Sequence, residues 1–240
     1  SDGAYRKLEV LCDDIGHRVS GSEQLDKAIA WAVDAMKKDG HENVHTEKVM
    51  IPKWVRGDES IVMIHPRAHS VPMLGLGGSV GTPAEGTTAS VVVARDEAEH
   101  ESLGDKCNGK TVRVNNIMQP YNAESGSGYG TAVRFRGKGA KLASEMGAVG
   151  CLVRSVTAHS LRSPHTGAMN YDGAKTKIPA AAIATEDAEM ISRILSRGED
   201  VRVTIKLQAR DEGLAPSANV IGELRGREKP EEVVVIGGHI

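Results

Sequence analysis

Aromatic side chains are nearly missing: one Phe, four Tyr and two Trp are 3% of 240 residues. A core without rings must be filled by small and aliphatic side chains, and 27 glycines with abundant Ala and Val supply them. That composition suits an α/β protein with buried parallel strands better than an aromatic-rich β-sandwich. Cysteine is scarce as well. Cys12, Cys107 and Cys151 lie far apart and form no CxxC pair, so they read as reduced thiols and neither as a disulfide framework nor as a zinc ribbon. Excess charge of one sign is lacking too, with 30 Lys and Arg against 32 Asp and Glu and a formal net charge of −2. A chain of this kind has no electrostatic case for nucleic acid or an anionic membrane surface. No apolar run approaches the roughly 20 residues that span a bilayer. The opening residues show no charged-then-apolar pattern, as expected of a cytosolic chain or of one whose leader has been removed.

What is present is globular. The apolar fraction is 40% and the charged fraction 26%, and the length allows one or two domains at about 150 residues each. Leu8, Leu11, Cys12 and Ile15 keep helical spacing up to Gly16. A capping-box spacing from Ser20 to Glu23, with Ser22 as the alternative cap, opens a helix whose stripe is Leu25, Ile29, Ala32, Val33 and Met36. A second helix around 131–146 is weakened by Gly137 and Gly139. A third starts near Thr185, carries Glu186 and Asp187 in its first turn and closes at Gly198. Strands are expected over 44–51, 60–65, 89–94, 111–114, 147–153, 178–183, 201–207 and 218–224, with 211–217 as a short polar link. Val233-Val234-Val235-Ile236 has no alternation and reads as a strand covered on both faces. Because the chain stops just after it, a fragment is expected.

Few residues in this pattern invite chemistry. The spacing GxGxxxG over 75–81 lacks the third glycine of a dinucleotide fingerprint, and Pro72 and Pro83 flank it, so it reads as a turn. None of the nine histidines sits in HExxH, and neither Ser20 nor Ser163 has a GxSxG setting. Ser163-Pro164-His165-Thr166-Gly167 lies in a long polar loop over 157–177, where either a binding role or a solvated turn is open to His165. His239 follows the all-apolar run through two glycines, at the carboxyl end of the expected strand. Ligand and metal sites gather at that edge in open α/β sheets, and neutral imidazole is the commonest metal ligand. A strand-end histidine that merely hydrogen-bonds is the alternative.

Val233-Val234-Val235-Ile236-Gly237-Gly238-His239 resembles the strand that enters the first metal-ligand motif of co-catalytic zinc exopeptidases. Asn219-Val220-Ile221-Gly222-Glu223-Leu224-Arg225-Gly226 is similar to the strand and turn before it. Trp54-Val55-Arg56-Gly57, Met73-Leu74-Gly75-Leu76-Gly77-Gly78-Ser79, Leu152-Val153-Arg154-Ser155-Val156-Thr157 and Glu186-Asp187-Ala188-Glu189-Met190 resemble blocks of the carboxypeptidase Q subfamily, and the Ser163 to Gly167 string does so as well. These blocks run in family order along almost the whole chain.

The resemblance implies an α/β fold. Residues 1–65 and 199–240 would form the N-terminal part of a zinc peptidase catalytic domain, and residues 66–198 a protease-associated insert. It implies a di-zinc metallopeptidase of carboxypeptidase or dipeptidase type, acting on dipeptides or peptide ends through a zinc-activated water. His239 would be the one metal ligand in this chain and His165 a substrate contact. The general-base Glu and the other ligands would lie beyond Ile240, leaving the chain alone inactive. Peptide as substrate, a homodimer at full length and an exported location (secreted, lysosomal or periplasmic) are implied on the same grounds. Two other readings share the architecture: a receptor-like relative that binds through the insert without catalysis, and an aminopeptidase of the same superfamily.

Overall fold

A computed structural model describes residues 2–240, apart from the side chains at 97, 100 and 101. The chain divides into two compact units. Residues 1–54 and 212–240 form the smaller, and residues 55–211 the larger.

In the small unit, helix α1 (Gly3–Glu9) continues as a π-helical stretch, Val10–Ile15, and stops at Gly16. Helix α2 (Glu23–Lys38) begins at Ser22, whose Oγ accepts the Leu25 amide at 3.2 Å. The alternative cap is therefore the one used. Ser20 instead donates to the Pro52 carbonyl at 2.5 Å. Strand β1 (Glu42–Val55) pairs with a second 14-residue strand, Arg210–Glu223, in a two-stranded ribbon. Ala28 and Ala32 are the buried apolar side chains of this unit among the described residues. Its packing is thin.

Two expectations fail here. The polar link at 211–217 lies inside the Arg210–Glu223 strand, because pairing with β1 satisfies its main chain whatever its side chains prefer. The run Val233-Val234-Val235-Ile236 forms no strand and is 81–91% exposed. A strand of that kind is stable only with neighbours on both edges and cover on both faces, and no strand of the small unit lies beside it among the described residues.

The large unit holds an eight-stranded sheet. Its strands are β2 (Glu59–His65), β3 (His69–Val71), β4 (Met73–Gly75), β5 (Thr87–Ala94), β6 (Thr111–Val114), β7 (Gly150–Arg154), β8 (Ala180–Ile183) and β9 (Arg202–Leu207). The ribbon strand Arg210–Glu223 is then β10. The spatial order is β3-β2-β9-β5-β6-β7-β8-β4. Neighbours from β5 to β8 are parallel and the remaining pairs antiparallel. The first and last strands of that order, β3 and β4, are separated in sequence only by Pro72, so the sheet curls until its two ends meet. Glu59 on β2 accepts the Gly75 amide of β4 at 2.9 Å, which ties the ends together.

Gly86 immediately precedes β5 with φ at +91°, and an added Cβ there would lie 2.7 Å from the Ile205 carbonyl oxygen. No other residue fits that turn without strain.

Helix α3 (Glu97–Leu103) runs into a 3-10 turn, Gly104–Cys107, between β5 and β6. Helix α4 (Tyr129–Glu145) links β6 to β7, and helix α5 (Thr185–Ser196) links β8 to β9. Ala140 and Ala143 of α4 pack in one core with Val112, Val114, Cys151, Val153, Ala180 and Ala182. These are alternate residues on β6, β7 and β8, so they share one face. The opposite face carries Arg113, Leu152, Arg154 and Ile183, and α5 bonds to it through Ser192 and Glu189. Alanine fills the space that rings would occupy elsewhere, as the composition requires. Burial pushes both core thiols up, Cys151 to about 12, so it stays a thiol at neutral pH.

The expected boundaries at 66 and 198 thus differ from the unit boundaries near 55 and 211. The physical reason is pairing: β2 and β9 hydrogen-bond to each other, and β9 to β5. Both strands are sheet members of the large unit and do not belong with β1.

Candidate functional site

His239 is exposed and outside regular structure. Among the described residues no group of three or more His, Cys, Asp or Glu is placed to hold a metal ion. Zinc needs at least three protein ligands. The residues present therefore do not fit a zinc site by themselves.

His165 is exposed as well, and its loop is firmly tied. Its backbone amide donates to Ser155 Oγ at 2.8 Å, and Thr166 Oγ1 donates to the Gly75 carbonyl at 2.8 Å. Gly77 and Met169 exchange main-chain bonds with the same loop, Gly77 N to Gly167 O and Met169 N to Gly77 O, both at 2.9 Å. The glycine-rich stretch at 75–81 is thus strand end and turn, as its spacing predicts.

The other end of this loop meets α5. Arg162 forks onto the buried Asp187 carboxylate, Nε to Oδ2 at 3.1 Å and Nη2 to Oδ1 at 3.0 Å. His69 on β3 places Nε2 3.0 Å from Oδ1, with Arg67 Nη1 at 3.4 Å from Nδ1. Arg162 Nη2 also lies 3.0 Å from the same Nε2, so the ring nitrogen sits against both the guanidinium and the carboxylate. Sequence reading assigned Asp187 to the first helical turn and missed its partners, which come from remote segments.

Beside it, the Glu186 carboxylate sits on the N-terminus of α5. Its own amide donates to it, and so do Ser160 Oγ at 2.9 Å and the Arg162 amide at 3.0 Å. These donors favour the charged form and hold the group down to about 2, from an ordinary value of 4.5. A folded-state value below the unfolded one adds stability that is present above pH 4.5 and lost as pH falls towards about 2. Urea midpoints at pH 6 and pH 3 should therefore fall less for Glu186→Gln than for the wild type. Equal losses would show that this carboxylate does not anchor the loop.

A crevice opens just past the carboxyl ends of β5 and β6. Its volume is about 470 Å³, and Arg95, Asp96, Asn115, Glu189, Ser192 and Arg193 are among the lining residues. Behind it lies Arg113, fully buried in the middle of a four-residue strand. Its Nη1 donates to Asn115 Oδ1 at 2.5 Å and its Nη2 to Ser192 Oγ. Burial pushes this guanidinium down to about 9, so it remains charged at neutral pH. The sequence held one signal for it, a cation at the centre of Thr111-Val112-Arg113-Val114.

This architecture is that of the peptidase M28 structures. The crystal structure of a Peptidase M28 precursor from Shewanella amazonensis matches the whole chain at TM-score 0.92 and 34% identity, the match covering 54% of that chain. A zinc aminopeptidase from Bacillus subtilis shares the fold at TM-score 0.63 and 20% identity, over 94% of this chain and 47% of that one. Within that class the chain is a homologue of carboxypeptidase Q. It is 44% identical to the Bos taurus protein over 237 residues, 99% of this chain and 48% of that protein. The Homo sapiens protein is 42% identical over the same length, 99% of this chain and 48% of that protein. The chain spans about half the length of the curated relatives it matches. No protein-family model matches it.

Proposed function

We propose that this chain is part of a zinc-dependent exopeptidase, a metallopeptidase of carboxypeptidase or dipeptidase type that hydrolyses dipeptides or peptide ends with two zinc ions. The observation that carries the reading is the 44% identity to carboxypeptidase Q of Bos taurus along 99% of the chain. In this proposal His239 is one zinc ligand, and the remaining ligands and the general-base Glu come from residues beyond 240. The large unit, residues 55–211, is a protease-associated insert, and His165 in its long loop touches the peptide substrate. The enzyme is exported and works as a homodimer.

The test compares the 240-residue chain with a polypeptide continued to the length of the relatives. The short chain should hold no stoichiometric zinc after dialysis and turn over no dipeptide. The long one should bind about two zinc ions and cleave unblocked dipeptides. In the long form His165→Ala should raise KM while shifting Tm by no more than about 1 °C, since the exposed ring packs against little. Zinc-free long protein, or dipeptide turnover that survives chelation, would remove the proposal. Peptides blocked at one end or the other separate carboxypeptidase from aminopeptidase action.

A further inference from the structure

The crevice beyond β5 and β6 is lined by groups whose hydrogen-bonding capacity can be followed atom by atom. Its two carboxylates are engaged: Glu189 pairs with Arg154, and Asp96 Oδ1 accepts the Glu99 amide at 2.8 Å. Arg95 pairs with Glu99 at 2.8 Å. Ser192 Oγ receives Arg113 Nη2, and Asn115 Nδ2 approaches it at 3.4 Å. A hydroxyl has two lone pairs and one proton. With both lone pairs occupied, the proton is left to donate, and among the described residues no acceptor takes it. Asn115 has its carbonyl fixed by Arg113, which turns its amide towards Ser192 and leaves it a second N–H.

Arg113 itself is the unusual element. A fully buried guanidinium is costly unless an anion answers it. Among the described residues no carboxylate lies within ion-pair distance of it; its two bonded partners, Asn115 and Ser192, are neutral. Its charge polarises both partners as donors. At the rim, Arg193 is exposed and no described residue bonds to its guanidinium. The crevice lies just outside the carboxyl ends of two parallel neighbours, β5 and β6.

We propose that this crevice is a binding site for a small oxyanion, a carboxylate or phosphate group. Ser192 O–H and the second Asn115 N–H donate to it, and Arg193 closes on it from the rim. A volume of about 470 Å³ accepts the anionic head of a small organic molecule with further atoms attached. An adjoining cavity of about 360 Å³ shares Asn116, Ile117 and Gln119 and offers Pro120 and Thr131 to those atoms. The bound anion adds to the field of the nearby Glu189 carboxylate, which already favours the charged form of Arg113.

The experiment titrates the chain separately with sodium phosphate and sodium acetate at constant ionic strength. It follows the Asn115 side-chain amide and the Ser192 backbone amide by two-dimensional NMR. Saturable shifts are expected with at least one anion below about 100 mM. A response to phosphate alone identifies a phosphate site, and a response to acetate alone a carboxylate site. Ser192→Ala should weaken binding about tenfold and Arg193→Gln roughly threefold. Arg197→Gln, a surface guanidinium held by Glu199 at 3.1 Å, should change nothing. Arg113→Met risks the fold, so Ser192→Ala decides. Shifts that never saturate, or equal affinity in Ser192→Ala, overturn the site.

Discussion

His239→Ala, made in a polypeptide continued to the length of the carboxypeptidase Q relatives, is expected to lower dipeptide turnover on the order of a thousandfold. That factor corresponds to about 4 kcal/mol of lost transition-state stabilisation. His239 itself holds nothing in place. It is exposed, follows Gly237 and Gly238, and no described residue is recorded as bonding to its ring. Its replacement therefore removes no packing and no internal hydrogen bond from the described fold. If the ring is a zinc ligand, the loss falls on metal content and turnover together, while Tm of the short chain stays put. Paired zinc analysis and dipeptide kinetics decide the matter. A variant that keeps its full zinc complement and near-normal turnover would show that the ligand assignment is wrong.

Ile205→Ala carries the largest expected loss of stability, about 3–4 kcal/mol. Ile205 is fully buried in the middle of β9, between Ile61 on β2 and Thr87 on β5. An added Cβ on Gly150 of β7 would lie 3.0 Å from its Cδ1, so the two strands approach across the inside of the curl. The surroundings are strands held by ladders on both sides, which cannot collapse into the vacated space. Transfer and cavity terms then add in full. Chemical denaturation should show a lower midpoint with an unchanged slope. A loss under about 1 kcal/mol would mean that this face is loosely packed.

Much of the fold is legible in the sequence because its signals are local. The stripes of α2 and α5 lie on their helices, and 111–114 and 201–207 coincide with β6 and β9 to within a residue. Strands β3 and β4, three residues each, have no period to detect, and they exist because β2 and β8 offer them a ladder. Helix α5 starts at Thr185 as expected, but the residue before it, Ala184, has no capping side chain, and Glu186 supplies the N-terminal acceptor. The 211–217 segment and the 233–236 run fail for a common reason, since side-chain polarity does not say whether a partner strand is there. The zinc-site reading comes from resemblance at Gly238-His239. The Arg113, Asn115 and Ser192 group was missed, because Ser192 lies 77 residues downstream of Asn115 and 79 downstream of Arg113.

The meeting of β3 and β4 at Pro72 bears on how this protein associates with other chains. A sheet whose order returns to its starting point has little main chain left over to template a foreign strand, and its ends are only three residues long. Strand addition, domain exchange and fibril seeding then have poor purchase on the large unit. The ribbon of β1 and β10 is the contrasting case, 14 residues in each strand with no third strand beside them among the described residues. Each of those strands carries a proline, Pro52 and Pro216, and charges such as Lys48, Lys53, Glu212 and Arg210. Prolines and charges at exposed edges are the devices by which native sheets refuse unwanted partners. The two units thus resist aggregation by different means, one through geometry and the other through composition.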